Sequence, residues 1–325
     1  MIKQYAKMNG FEKHRLFFMV AAIGFAALSP VFGGLSFEIQ AGLLGGLVLV
    51  LGMPHGALDP LIAKLCGADR VLPFGRAGFY IGYIAISGLA LAFWLALPVA
   101  ALVAFLVISM VHFSGDWDND LPAWLRGAAG ITLISHPCFF WPEEVTRLFE
   151  FLTFGAPAGW IVDVLARAEL WICGVLYAGL GYFVLARRQT KILAATLEIG
   201  LIHLLSALFS PLVYFILYFC GCHSLRHFIE TINELQDHGL KFRPVLKVAA
   251  FVSFATALML AAGFWVAGVY NVWTGWGEGV VQIIFISLFV LTVPHMFLVG
   301  WLRHFSDPAN NDHGTGPVSP DRRKT

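Results

Sequence analysis

Ten apolar runs follow one another through most of the chain and leave few folds open to it. They cover residues 16–35, 39–54, 77–97, 99–113, 127–141, 168–186, 192–209, 212–228, 248–269 and 280–302. About 20 apolar residues in a helix span a bilayer, and runs shorter than that are accommodated inside a bundle. In lipid every backbone N–H and C=O must be satisfied within the protein, which favours helices for runs of this length. Composition agrees: 58% of the 325 residues are hydrophobic and 13% charged, against about 25% charged in soluble domains. The expected fold class is therefore all-α, a polytopic integral membrane helix bundle of about ten transmembrane helices.

Charge sets the expected orientation. If the amino terminus is cytoplasmic, all but two of the 21 Lys and Arg residues fall on the cytoplasmic side. The exceptions, Arg147 and Arg167, lie in one long external loop. Such asymmetry is the positive-inside pattern, and it puts both termini in the cytoplasm. Trp160, Trp273 and Trp276 fall near the outer interface, as an aromatic belt would. The basic stretch before the first run (Lys3, Lys7, Lys13, Arg15) resembles a secretory leader, but the run is long for one and reads as a permanent span. The expected organisation is a cytoplasmic segment over 1–15, a transmembrane domain over 16–305 and a disordered polar tail over 306–325.

Several function classes drop out. A net charge of +1 with no basic stripe argues against nucleic acid. No phosphate-binding loop, dinucleotide fingerprint or Ser/His/Asp arrangement is present. The five cysteines (Cys66, Cys138, Cys173, Cys220, Cys222) are odd in number and scattered, unlike a disulfide framework. Cys220 and Cys222 would point about 160° apart on a helix, so they read as small core residues. Gly42 and Gly46 form a small-xxx-small pair suited to close helix packing. Glu198 is an intramembrane carboxylate expected to pair with a neighbouring span.

The eleven histidines carry the chemistry. His223 and His227 close the eighth run, four residues apart. On an α-helix that spacing is a rotation of about 40° and a rise of about 6 Å, which puts both imidazoles on one face. His55 ends the second run and His112 the fourth, so these four histidines share one depth near the cytoplasmic face. Independent packing needs would not align them, whereas a shared metal would. Polar groups inside a bilayer are costly and face the bundle interior.

Asp59 and Asp116 follow His55 and His112 by four residues. On continuing helices each would lie beside its histidine and fix the tautomer that leaves the other nitrogen for metal. Solvated helix ends are the plainer reading of the same residues. Glu230 stands in the same relation to His227. His295, after Pro294, is open between a further ligand, a support for one and the wall of a substrate pocket. His136 and His203 read as structural, and His14, His238, His304 and His313 as ordinary surface residues. All-imidazole ligation suits Zn, Cu, Fe or Ni. Surroundings this apolar point to a lipophilic substrate arriving through membrane lipid, and the 29 Phe can line a tunnel for it or simply fill the core.

The segments Gly52-Met-Pro-His55-Gly-Ala-Leu-Asp59, His112-Phe-Ser-Gly-Asp116 and His223-Ser-Leu-Arg-His227 resemble the histidine motifs of the Brp/Blh family of membrane β-carotene 15,15′-dioxygenases. The resemblance implies a single non-haem Fe(2+) held by His55, His112, His223 and His227, with no separate acid or base. It also implies β-carotene and O2 as substrates and cleavage of the central double bond to two all-trans-retinal molecules. A multi-pass place in the cell (inner) membrane and a functional link to a retinal-binding rhodopsin go with it. Two alternatives stay open on the residues: a histidine-box desaturase or hydroxylase acting on a lipid, and a haem- or carotenoid-binding membrane protein without activity.

Overall fold

A computed structural model describes residues 10–300 apart from 33, 68–71, 119, 270–272 and 274, and leaves the side chains of His55, Thr190, Leu298 and Val299 undescribed. No strand occurs among the described residues. The first helices are α1 (Gly10–Ala27), α2 (Ser29–Phe32) and α3 (Phe37–Leu47), the last running into a π-helical turn, π1 (Val48–Gly52). Short helices α4 (Met53–Gly56) and α5 (Asp59–Leu65) follow, then α6 (Gly75–Ala96), α7 (Pro98–Ser114), α8 (Ala123–Phe140) and α9 (Pro142–Leu152). Next come α10 (Gly159–Leu185), α11 (Thr190–Leu208), α12 (Pro211–Phe215) and a long π segment, π2 (Ile216–Ser224). The order ends with α13 (Leu225–Asp237), α14 (Phe242–Val269), α15 (Trp276–Pro294) and π3 (His295–Val299).

Among the described residues, seven helical stretches are long and apolar enough to cross a membrane: 75–96, 98–117, 159–185, 191–208, 211–237, 242–269 and 276–297. The other three apolar runs of the sequence coincide with α1, with α3 and π1, and with α8. Proline sets sharp starts, because its missing N–H is one that a first helical turn leaves unpaired anyway. Pro98, Pro142 and Pro211 open α7, α9 and α12. Leu97 alone separates α6 from α7, and Trp141 alone separates α8 from α9. The stretch expected as one external loop holds α9. This amphipathic helix buries Val145, Phe149 and Leu152 and turns Glu143 and Arg147 outward, so it carries no apolar run to betray it.

Close helix contacts rest on glycine. A Cβ on Gly130 of α8 would fall 2.2 Å from the Met110 carbonyl of α7, and one on Gly179 of α10 would fall 2.4 Å from Trp124 of α8. On α3 the close face holds Gly42 and Gly45, which meet Trp276 and Val280 of α15, while Gly46 has nothing within 4 Å. The pairing expected from Gly42 and Gly46 is thus displaced by one residue. Outward surfaces are apolar, as lipid demands: on α14, Phe251, Phe254, Met259 and Trp265 are all exposed. One group of buried polar residues, among them Asp59, Asp116, His223 and Arg226, lies inside, where the π segments meet the end of α7 and the start of α13.

Candidate metal centre and its apolar cavity

Histidines from separate stretches of chain meet at one place. His112 lies in the last turn of α7, His223 in π2, His227 in the first turn of α13 and His295 at the head of π3. Ring centroids of His112 stand 4.7 Å from His223, 5.8 Å from His227 and 5.6 Å from His295. Those of His223 and His227 are 4.6 Å apart. His55 lies in α4 by its backbone, and its side chain is outside the described residues. The π segments were invisible to an apolar-run reading, yet π1 precedes His55, π2 contains His223 and π3 begins at His295. Widened turns of this kind recur at functional sites.

The nitrogens indicate what the cluster can hold. His112 Nε2 and His223 Nε2 face each other at 3.1 Å. His223 Nδ1 lies 2.9 Å from Asp116 Oδ1. A carboxylate only accepts, so Nδ1 donates and Nε2 is left as a lone pair. Two imidazole nitrogens each about 2.1 Å from a shared ion and about 90° apart sit about 3 Å from each other. The donor set fits a metal ion bound by imidazole. Ligand atoms of Asp116, His223 and His227 also lie within 4.8 Å of one another.

The carboxylates serve other histidines than their own helices suggest. Asp116 bonds His223 of π2, not His112, because the chain tightens into a 3-10 turn at Gly115–Trp117 and swings the carboxylate across to π2. Its other oxygen accepts from Tyr218 at 2.7 Å, and Oδ1 stands 3.2 Å from His227 Nε2. Asp59 opens α5, separated by a turn from the helix of His55, and accepts from His295 Nδ1 at 2.8 Å. Tyr83 of α6 donates to the same carboxylate at 3.1 Å. Both aspartates are buried, which removes the solvated-end reading. Glu230 stands 4.0 Å from His227 Nδ1, at the limit of an ion pair.

A buried ionic layer lies beneath. Arg226 donates to Glu198 and, at 3.1 Å, to the backbone carbonyl of Asp116. Glu198 also accepts from Arg15 at 3.2 Å and Trp117 at 3.0 Å, and Arg15 pairs with Asp120. The partner expected for Glu198 is therefore supplied from three stretches of chain at once, by Arg15, Trp117 and Arg226. His14, expected on the surface, is buried with Nε2 3.1 Å from the Gly221 carbonyl. Helix α1 begins at Gly10 and carries it against π2. His238 stays exposed, and His304 and His313 lie outside the described residues.

His136 and His203 sit elsewhere, stacked at 4.4 Å. His203 bonds Tyr177 at 2.8 Å and Thr132 at 3.0 Å, a satisfied polar contact between α8, α10 and α11. Cys220 and Cys222 are buried and unbridged.

Against the histidines opens a cavity of about 1120 Å³, mouth included, whose wall holds His112, His295 and Asp59 among Phe105, Phe113 and Phe219. Tyr80 and Ile84 of α6 line it and are also exposed on the outer surface, so its mouth faces sideways near α6 and α14, where lipid would lie. Such a site takes an apolar molecule and offers it a few directed polar atoms.

Comparison with known proteins agrees in kind. Residues 46–303 match the family model described as Beta-carotene 15,15′-dioxygenase. The chain is 32% identical over 269 residues to the Beta-carotene 15,15′-dioxygenase of uncultured marine bacterium 66A03, covering 79% of this chain and 91% of that protein. It is 29% identical over 316 residues to the Probable beta-carotene 15,15′-dioxygenase Blh of Halobacterium salinarum, covering 86% and 90%. No solved structure matches. With the family model spanning most of its length, the chain belongs to the β-carotene 15,15′-dioxygenase family of enzymes.

Proposed function

We propose that this enzyme splits the central 15,15′ double bond of β-carotene with O2 at a single non-haem Fe(2+) held by His55, His112, His223 and His227. The observation that carries the reading is the apposition of two imidazole nitrogens, 3.1 Å apart, on the wall of an apolar cavity. In the balanced reaction one C=C and one O–O bond break, each carbon takes one oxygen, and two all-trans-retinal molecules form. Dioxygen is the oxidant and supplies both oxygens. Ferrous iron, when bound, supplies the site at which O2 is activated.

The chain's own residues hold, orient and exclude. Asp116 keeps the proton of His223 on Nδ1, and Tyr218 and Arg226 hold Asp116 itself in place. Asp59 does the same for His295, which lines the cavity. Phe105, Phe113 and Phe219 exclude water and give the polyene flat surfaces to lie on. Positioning of the central bond, rather than proton transfer, then sets the outcome. The same reading carries ten spans with both termini in the cytoplasm, a place in the cell (inner) membrane, and supply of retinal to a rhodopsin.

The test is expression in β-carotene-producing bacterial cells, with the purified enzyme assayed for iron. Orange colour should fade as retinal accumulates, with one iron per chain. Colour that persists with iron bound would overturn the reading, and two irons per chain would favour a desaturase or hydroxylase.

A further inference from the structure

The cavity at the histidines abuts a second apolar cavity of about 700 Å³, open space at its mouth included, that reaches towards α8 and α9. Four residues front on both: Phe105, Ser109, Phe113 and Phe215. Three of them are aromatic, and Ser109 is the small one between. Phe105, Ser109 and His112 are spaced i, i+4 and i+7 along α7, so the partition continues the face that carries the histidine. Phe113 lies with its ring centroid 4.8 Å from that of His223. The partition therefore stands beside the candidate metal centre, with open space to either side.

A bond in the middle of a long, symmetrical molecule reaches a reactive centre only if each half has its own space. A single blind cavity ending at the histidines would present an end of the chain instead. We propose that the two cavities are the two arms of one site, each housing one half of a long apolar polyene. Ser109 is the gap in the aromatic partition through which the chain passes. Phe105, Phe113 and Phe215 set which bond stands at the histidines. The far arm, lined by Val145 and Leu148 of α9, sets the length accepted beyond that bond. This inference rests on the substrate class proposed above.

The experiment fills the far arm without touching the histidines. Leu148→Trp is purified, its iron content is compared with that of the unaltered enzyme, and kcat/KM is measured for β-carotene and for an apocarotenal shortened on one side. The ratio of β-carotene to apocarotenal should fall at least about tenfold, and the absorbance titration for β-carotene binding should weaken in parallel. An unchanged ratio overturns the two-arm site. Val145→Phe on the same helix serves if the Trp variant does not fold, with the same two outcomes. Ser109→Phe should block the partition itself and shift any residual cleavage off centre, giving two products of unequal length; products of equal length at the unaltered rate would also overturn it. Failure of the unaltered enzyme to cleave β-carotene at all is a different result, and sinks the substrate assignment.

Discussion

His295 and Asp59, 236 residues apart in sequence, meet on the cavity wall with Nδ1 2.8 Å from Oδ1. The contact repeats, with other residues, what Asp116 does for His223. Partners that orient a metal-site histidine typically contribute ten- to hundredfold in affinity or activity. Asp116→Ala is expected to weaken iron binding about ten- to hundredfold. Asp59→Ala should lower kcat/KM by a similar factor while most of the iron is kept. Iron titration beside the activity assay separates the two, and equal iron loss in both would make His295 a ligand.

His223→Ala and His227→Ala should each lose iron and cleavage together. Chelation of the unaltered enzyme should abolish activity, and Fe(2+) should restore it. A purified variant retaining full iron and full activity would remove that histidine from the ligand set.

Glu198 is shared by Arg15, Arg226 and Trp117. Removing one partner from a buried ionic group leaves the rest uncompensated and costs about 3–5 kcal/mol. Glu198→Gln should therefore destabilise the protein by that order, measured by unfolding in detergent micelles. Replacing Glu198 and Arg226 together by Leu and Met should recover part of the loss.

Gly52 has no room for a side chain, since a Cβ there would stand 2.9 Å from Phe219. Phe219 stacks on His223 at 5.7 Å. Gly52→Val should cost about 1–3 kcal/mol of overpacking and lower activity through displacement of His223. A variant with unaltered melting and rate would show that the π segments are not in contact there.

His203→Ala offers the contrasting case. It breaks the bonds to Tyr177 and Thr132 and should cost about 1–3 kcal/mol, with iron content unchanged. Loss of iron would place it in the centre after all.

Much of the helical layout was legible because lipid imposes one rule on every span: apolar side chains outside, backbone bonds satisfied within. Hence each of the ten apolar runs overlaps a helical stretch among the described residues, seven of these long and apolar enough to cross a membrane, and Pro98 and Pro211 mark two of the turns. Helix α9 escaped because it is amphipathic. His14 and Arg15 read as cytoplasmic because they precede an apolar run, yet α1 starts earlier than that run and lays both against the centre.

Sequence by itself determined the class of the protein and pointed to the histidines, of which His112, His223 and His227 come together. Apolar content and imidazole spacing are properties of residue type and order, and need no partner to be read. Which carboxylate serves which imidazole was decided only in three dimensions. A 3-10 turn after His112, a broken helix after His55 and a π segment under His223 each redirect a side chain without changing the hydrophobic pattern. The cavities, too, are spaces between helices, and no single stretch of chain encodes them.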